Sequence, residues 1–402
     1  MPLHVLIIPD KFKGTLTAAE AAEAIARGWR GERPGDSLDL LPMSDGGDGF
    51  GELTSALLKA RIQYVKTVDA AHRPCVARWW WEPRRRIAII ESAAVIGLAM
   101  LPPKRFHPFQ LDTLGLGAVV RTAMRKGARH CLIGIGGSAT NDGGFGLARA
   151  LGWEFLDRSG ESIEQWTGLS RLERIRAPRR RRWFSSLVVA TDVQNRLLGA
   201  RGASRVYGPQ KGLRLQDFAM AERCLGRLAH VVQQELGQDF AREPGAGAAG
   251  GLGFGLMAFL RAEMSPGFDL IARLASLERR LRGVDLVITG EGAIDRSTLM
   301  GKGVGQIGRR CRALKIPCIG LAGMTDISSG KGTCFTQVRA LTELTSVAQA
   351  KARPAYWLER LARRVARGAG EIRSPKSETR RKAEIRKPKR ARGGGLPGSI
   401  DG

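Results

Sequence analysis

The 402-residue chain has no stretch near the roughly 18 consecutive apolar residues of a membrane span. It has no CxxC pair: its six cysteines (Cys75, Cys131, Cys224, Cys311, Cys318 and Cys334) are scattered, which argues against a zinc or redox motif and for free thiols in a reducing compartment. The opening residues carry no basic n-region, and their apolar run stops at Pro9 and Asp10, so they read as a first buried strand and not as a secretory signal; a cytoplasmic setting is expected. No GKS/T ending completes any glycine-rich turn, which excludes a P-loop. No internal repeat of 20–50 residues is visible, and no RRM, KH, helix-turn-helix or zinc-finger pattern occurs.

Acids are scarce relative to bases. Sixty-five Lys and Arg face 38 Asp and Glu, a formal charge of +27. Residues 371–402 contribute only +6 of it. Two clusters, Arg84–Arg86 and Arg179–Arg182, lie between apolar strand-like runs and read as solvated loops, with weak polyanion binding as the lesser reading. The tail, residues 369–402, mixes Pro, Ser, Gly and like charges and is expected to be disordered.

Glycine, in contrast, is abundant (52 residues) and recurs where short buried strands end. The order of elements is strand, helix, strand, helix, the α/β pattern. Leu3–Ile8 reads as a parallel strand buried on both faces. Thr17 and Glu20 form a capping box before a helix over 18–29. Val65–Val68, Cys75–Trp81 and Ile87–Glu91 read as three β segments joined by polar turns, an antiparallel element opening a second domain. Further buried strands are expected at 128–135, 187–191, 284–289 and 316–321. In open α/β sheets ligands bind beyond the carboxyl ends of the strands, so the turns there are the place to seek function.

Five such turns stand out: Asp10-Lys11-Phe12-Lys13; Ser44-Asp45-Gly46-Gly47-Asp48-Gly49; Gly134 to Gly144; Thr191-Asp192; and Gly290-Glu291-Gly292-Ala293-Ile294-Asp295, followed by Gly301-Lys302. The third has the strand-turn-helix setting in which backbone amides cradle a phosphate. Its Gly134-x-Gly136-x-x-Ala139, like Gly245-x-Gly247-x-x-Gly250, also matches a dinucleotide fingerprint, which keeps a dinucleotide-dependent oxidoreductase as an alternative. A basic nucleic-acid-binding protein, resting on the charge, is a second.

Taken together, these segments resemble the bacterial type I glycerate kinase family. Glu91-Ser92-Ala93-Ala94, Thr113-x-Gly115-x-Gly117, Gly136 to Gly144, Tyr207 to Gly212 and Pro244 to Gly253 add to the likeness, which spans roughly residues 3–368. The resemblance implies two α/β domains: a Rossmann- or flavodoxin-like one with a parallel sheet (1–61 plus 286–368), and an inserted one with some antiparallel strands (62–285), with the active site in the cleft between them. It implies ATP- and Mg²⁺-dependent phosphorylation of D-glycerate, to 2-phosphoglycerate more than 3-phosphoglycerate, with no specific nucleic acid and no membrane as partner. On that footing Asp192 is expected to be the general base, sharing a site with Asp10 and Asp45. Lys13, Ser138, Asn141, Asp142 and Lys211 are expected to bind substrate, and Gly136, Gly137, Gly290 and Lys302 the nucleotide. Glu291 and Asp295 would hold the metal. The chain departs from the family pattern at Gln194-Asn195-Arg196-Leu197 and at Gly303-Val304.

Overall fold

The structure is a computed structural model and describes residues 2–44, 46–47, 49–299, 303–327 and 333–369. Of the expected site residues Asp45 and Lys302 lie outside these, as does the basic tail from residue 370. The chain divides into two compact units, one made of residues up to Leu41 with those from Arg279 onward, the other of Pro42–Glu278. Among the described residues thirteen strands follow in chain order: β1 His4–Ile7, β2 Ser37–Leu40, β3 Arg61–Val68, β4 Pro74–Glu82, β5 Ile87–Glu91, β6 His130–Gly134, β7 Glu154–Leu156, β8 Arg174–Arg176, β9 Ser186–Ala190, β10 Glu263–Ser265, β11 Leu286–Ile294, β12 Cys318–Thr325 and β13 Gln337–Ala340.

The first unit is a five-stranded sheet, β13-β12-β11-β1-β2, parallel throughout. Val5, Ile7, Ile288, Ile319 and Leu321 supply its buried strand residues, packed with apolar residues of the helices Ala18–Glu32 and Pro354–Gly368. The first of these helices begins at the anticipated capping box: Glu20 N donates to Thr17 Oγ1 (3.2 Å) and Thr17 N to Glu20 Oε2 (2.8 Å). The two helices cross at Gly28, where a Cβ would sit 2.2 Å from the Glu359 carbonyl oxygen and 3.0 Å from Ala362 Cβ.

The second unit is a six-stranded sheet, β10-β9-β6-β5-β4-β3. Strands β5, β6, β9 and β10 are parallel, while β3, β4 and β5 form an antiparallel meander. Its larger core gathers Trp79, Trp166, Phe145, Phe155, Phe254 and Phe259. The helix Phe50–Leu58 belongs to this unit, because a Cβ on Gly51 would fall 2.0 Å from Trp80 Cζ3 of β4.

The anticipated mixture of a parallel sheet with a second sheet carrying antiparallel strands is observed. One motif differs. Gly290–Ile294, read from the sequence as a turn, continues β11. Glycine is required at 290 because a Cβ would meet the Leu321 carbonyl oxygen of β12 at 2.3 Å, so it marks a close backbone approach within a strand.

Overpacking of this kind costs about 1–3 kcal/mol. Gly28→Ala should therefore lower stability by that amount in urea unfolding. Gly35→Ala, where nothing lies within 4 Å of the new Cβ, should leave the midpoint near that of the parent.

Candidate active site

Parallel pairing sets Glu91, Gly134 and Ala190 side by side at the carboxyl ends of β5, β6 and β9. Three of the sequence motifs thereby converge on one end of the second unit's sheet. Gly46 and Gly47 lie directly on it. Gly136 N donates to Gly46 O (3.3 Å), a Cβ on Gly136 would be 2.4 Å from Gly47 Cα, and one on Gly46 would be 2.5 Å from Ala190 O. Glu91, which the motif reading left without a role, is buried and binds the amides of Gly49 (3.2 Å) and Gly51 (2.8 Å), holding the start of the Phe50–Leu58 helix. The signal for it was present: an acid ending an apolar strand, as with Asp192.

Asp192 is exposed at the end of β9. Its Oδ1 accepts from Gly267 N (2.8 Å), the first residue of the helix Gly267–Leu274. The carboxylate is thus oriented by a helix terminus while remaining reachable from solvent.

The Gly136–Thr140 turn is held from several sides. Leu98 N donates to Gly137 O (2.9 Å) and Ala139 N to Ile96 O (2.8 Å). Ser138 Oγ accepts from Thr140 N (3.1 Å), lies 3.0 Å from Thr140 Oγ1 and donates to Ala249 O (3.4 Å). Asn141, fully buried, donates from Nδ2 to Ser204 Oγ (3.0 Å), and its Oδ1 has no partner among the described residues.

Asp142 and Lys211, both expected to touch substrate, are buried. Asp142 Oδ2 accepts from Thr113 N (2.9 Å), Thr113 Oγ1 (2.7 Å) and Gly146 N (2.9 Å), and its Oδ1 from Gly144 N (3.2 Å). The carboxylate therefore anchors the start of the helix Phe145–Ala150. Burial, aided by the negative charge of Asp112, raises its pKa to about 6. Lys211 Nζ donates to Thr140 O (2.7 Å). Burial lowers its pKa to about 7, against the opposing pull of Asp142.

The glycine run 245–251 packs on the same turn. Ala249, Gly250 and Gly251 all have positive φ (55°, 71° and 87°), and Gly143 N donates to Gly250 O (3.1 Å). What precedes this run is a short 3-10 turn, Phe240–Arg242, and not a strand. After Gly134-x-Gly136-x-x-Ala139 the next helix begins only at Phe145, too late for a pyrophosphate to sit on its first turn as in a dinucleotide fold. Both matches behind the oxidoreductase alternative thus fail on geometry.

In the first unit, Asp10 follows β1 and Glu291 lies in the adjacent β11. Asp10 N donates to Gly290 O (2.8 Å), and Asp10 Oδ1 accepts from Lys11 N (2.7 Å). Lys13 is exposed. Thr298 links the remaining acids, donating from Oγ1 to Glu291 Oε1 (2.7 Å) and from N to Asp295 Oδ1 (3.2 Å). Among the described residues no three His, Cys, Asp or Glu side chains gather as a metal cage. The oxygen-only donors Glu291 and Asp295, linked through Thr298, nonetheless suit Mg²⁺, which binds through one or two carboxylates together with water and substrate phosphates.

Two units, each built on a sheet with parallel strands, define an α/β protein, a class in which ligands bind beyond the carboxyl ends of the strands. Comparison with known proteins gives the family. The glycerate kinase family model matches residues 5–369, and the chain belongs to that family. A glycerate kinase of Halalkalibacterium halodurans is 38% identical over 323 residues, covering 79% of this chain and 85% of that protein. The glycerate 2-kinase of Escherichia coli is 36% identical over 331 residues, 81% of this chain and 86% of that one. A crystal structure assigned as glycerate kinase 2 from Salmonella typhimurium superposes with a TM-score of 0.79 at 33% identity, covering 92% of this chain and 99% of that one. Among the described residues no helix is long and apolar enough to cross a membrane.

The lowered Lys211 pKa has a sign that can be checked. Between about pH 7 and its unfolded value near 10.4, the unfolded chain holds a proton on Lys211 that the folded chain does not, so this residue makes stability rise with pH. Relative to Lys211→Met, the parent should gain up to about 1.4 kcal/mol per pH unit across pH 7.5–8.5. Urea unfolding of both proteins at the two ends of that range measures the difference.

Proposed function

We propose that this chain transfers the γ-phosphoryl group of ATP to a hydroxyl of D-glycerate, with 2-phosphoglycerate as product. Family membership over residues 5–369 supports the reaction, and the 2-kinase name of the Escherichia coli relative supports the position. The observation that carries the reading to particular residues is the alignment of Glu91, Gly134 and Ala190 across three parallel strands. It assembles one ligand-facing sheet end from segments far apart in sequence.

Phosphoryl transfer needs positioning and charge neutralisation more than covalent chemistry from the protein. In this reading Asp192 accepts the proton of the attacking glycerate hydroxyl, its carboxylate aimed by Gly267 N. Ser138 and the amide of Gly137 orient an anionic group of substrate or nucleotide, while Gly136, its amide spent on Gly46 O, keeps the turn in place. Lys211 acts one step back: its Nζ on Thr140 O and the capping by Asp142 hold the turn that carries these groups, with Asn141 tied to Ser204 beside them. Lys13 supplies an exposed cation for the substrate carboxylate or a phosphate, three residues after Asp10 in the chain. Gly290 lets β11 and β12 approach so that Glu291 and Asp295 stand where they do. These two acids would hold Mg²⁺, which when bound neutralises phosphate charge.

A coupled ADP-release assay with D-glycerate, with the product identified by NMR, tests the activity and its position. Asp192→Asn keeps an oxygen for the Gly267 amide but removes the base. It should leave the thermal midpoint unchanged and lower kcat by about 10²–10⁴-fold; near-normal turnover would remove Asp192 from that role.

A further inference from the structure

The opposite end of the same sheet carries a feature that the kinase reading does not use. Three basic segments distant in sequence meet there: Arg84–Arg86 before β5, Arg125, Lys126 and Arg129 before β6, and Arg179–Arg182 before β9. The parallel register Ile87↔His130↔Ser186 aligns the three strand starts. Backbone hydrogen bonds tie them directly, from Arg129 N to Arg86 O (2.9 Å) and from Ser185 N to Arg129 O (2.6 Å). Adjacent strands lie about 4.8 Å apart, so the three starts span roughly 10 Å.

All these cationic residues are exposed, and among the described residues none forms an ion pair. Arg86 and Arg182 fold back onto backbone carbonyls, Gly127 O for the first, and Phe184 O and Ser185 O for the second. The carboxylate within these segments, Glu82, is buried and accepts from the amides of Arg84 and Arg85, so it offers no counter-charge at the surface. Two exposed acids flank the patch, Glu263 at the start of β10 and Glu235, which lines one concavity with Arg181 and the further cation Arg261.

We propose that this amino-terminal sheet edge binds the phosphodiester backbone of duplex nucleic acid without sequence preference, as a function separate from phosphoryl transfer at the other end. Charge complementarity over several adjacent phosphates provides the attraction. Of the aromatic residues beside the clusters, Trp183 and Phe184 are only 9% and 7% exposed and Trp81 is half-buried against the core, so the edge favours backbone phosphates over base stacking with single strands. None of the exposed large apolar residues lies in the three segments, so nothing there would insert into a membrane interface.

The test uses the full chain and a fluorescent 20-base-pair DNA, with anisotropy read from about 50 to 200 mM salt. The parent should bind with an affinity that falls steeply with salt. R84Q/R85Q/R129Q/R179Q/R180Q/R181Q changes only side chains without a hydrogen-bonding role among the described residues. It should weaken binding at least tenfold at 50 mM salt and flatten the log–log slope by up to about 5, near 0.9 for each phosphate that is no longer neutralised, with glycerate kinase activity unchanged. The proposal is overturned if the parent does not bind the duplex, if the sextuple variant keeps the parent's affinity and slope, or if the loss follows glutamine substitution of Arg386, Lys387, Lys389 and Arg390 instead. Binding to phosphatidylglycerol vesicles but not to DNA at the same salt would likewise overturn it.

Discussion

Where β6 ends, the backbone of one loop is pressed against the backbone of another, and the ligand end of the second unit rests on that contact. The Gly136 and Gly47 Cα atoms approach so closely that one added carbon would overlap, and the same is true of Gly46 against Ala190. Side chains cannot fill the gap because there is none. The loop carrying Gly46 and Gly47 is thereby fixed relative to β6 and β9, and the Glu91 carboxylate holds its far end by two amides. With the loop so placed, the glycine turn and the exposed Asp192 carboxylate stand together at the sheet end.

The same turn is supported from beneath by polar groups that water does not reach. A buried carboxylate is tolerable only when its oxygens are well supplied with donors, and Asp142 has four. Lys211 is less completely satisfied, with Thr140 O as its one hydrogen-bond acceptor among the described residues, which fits its readiness to lose its proton. The unpartnered Asn141 Oδ1 is a further buried polar atom a few residues away. Such incompletely paired groups are uncommon in protein interiors. Here they cluster behind a turn whose shape matters more than its stability.

Much of this was legible in the sequence where one local rule decides the outcome. Leu3–Ile8 and Ile87–Glu91 are short apolar runs, which a sheet covered on both faces requires, and the Thr17–Glu20 capping box needs nothing beyond its own four residues. Legibility failed where a glycine had two meanings. At 290 it signals strand against strand and not a turn; at 245–251 it signals left-handed backbone and not a phosphate loop. The spacing of Asp142 and Lys211 within polar motifs suggested substrate contacts, yet only tertiary structure reveals that both are enclosed. Glu91 went unassigned because its partners, Gly49 and Gly51, lie some forty residues earlier.

The three consecutive left-handed residues at 249–251 carry a consequence for chirality. An L-side chain at Gly250 would drive its Cβ to 1.9 Å from Thr140 O, and one at Gly251 to 2.8 Å from Gly143 Cα. Left-handed φ alone does not exclude a side chain, because Ala249 holds φ 55° as an L-residue. At 250 and 251 the backbone of the neighbouring turn occupies the place that a Cβ of L hand would need. Substitution there is closed by that overlap, whatever ligand the turn holds.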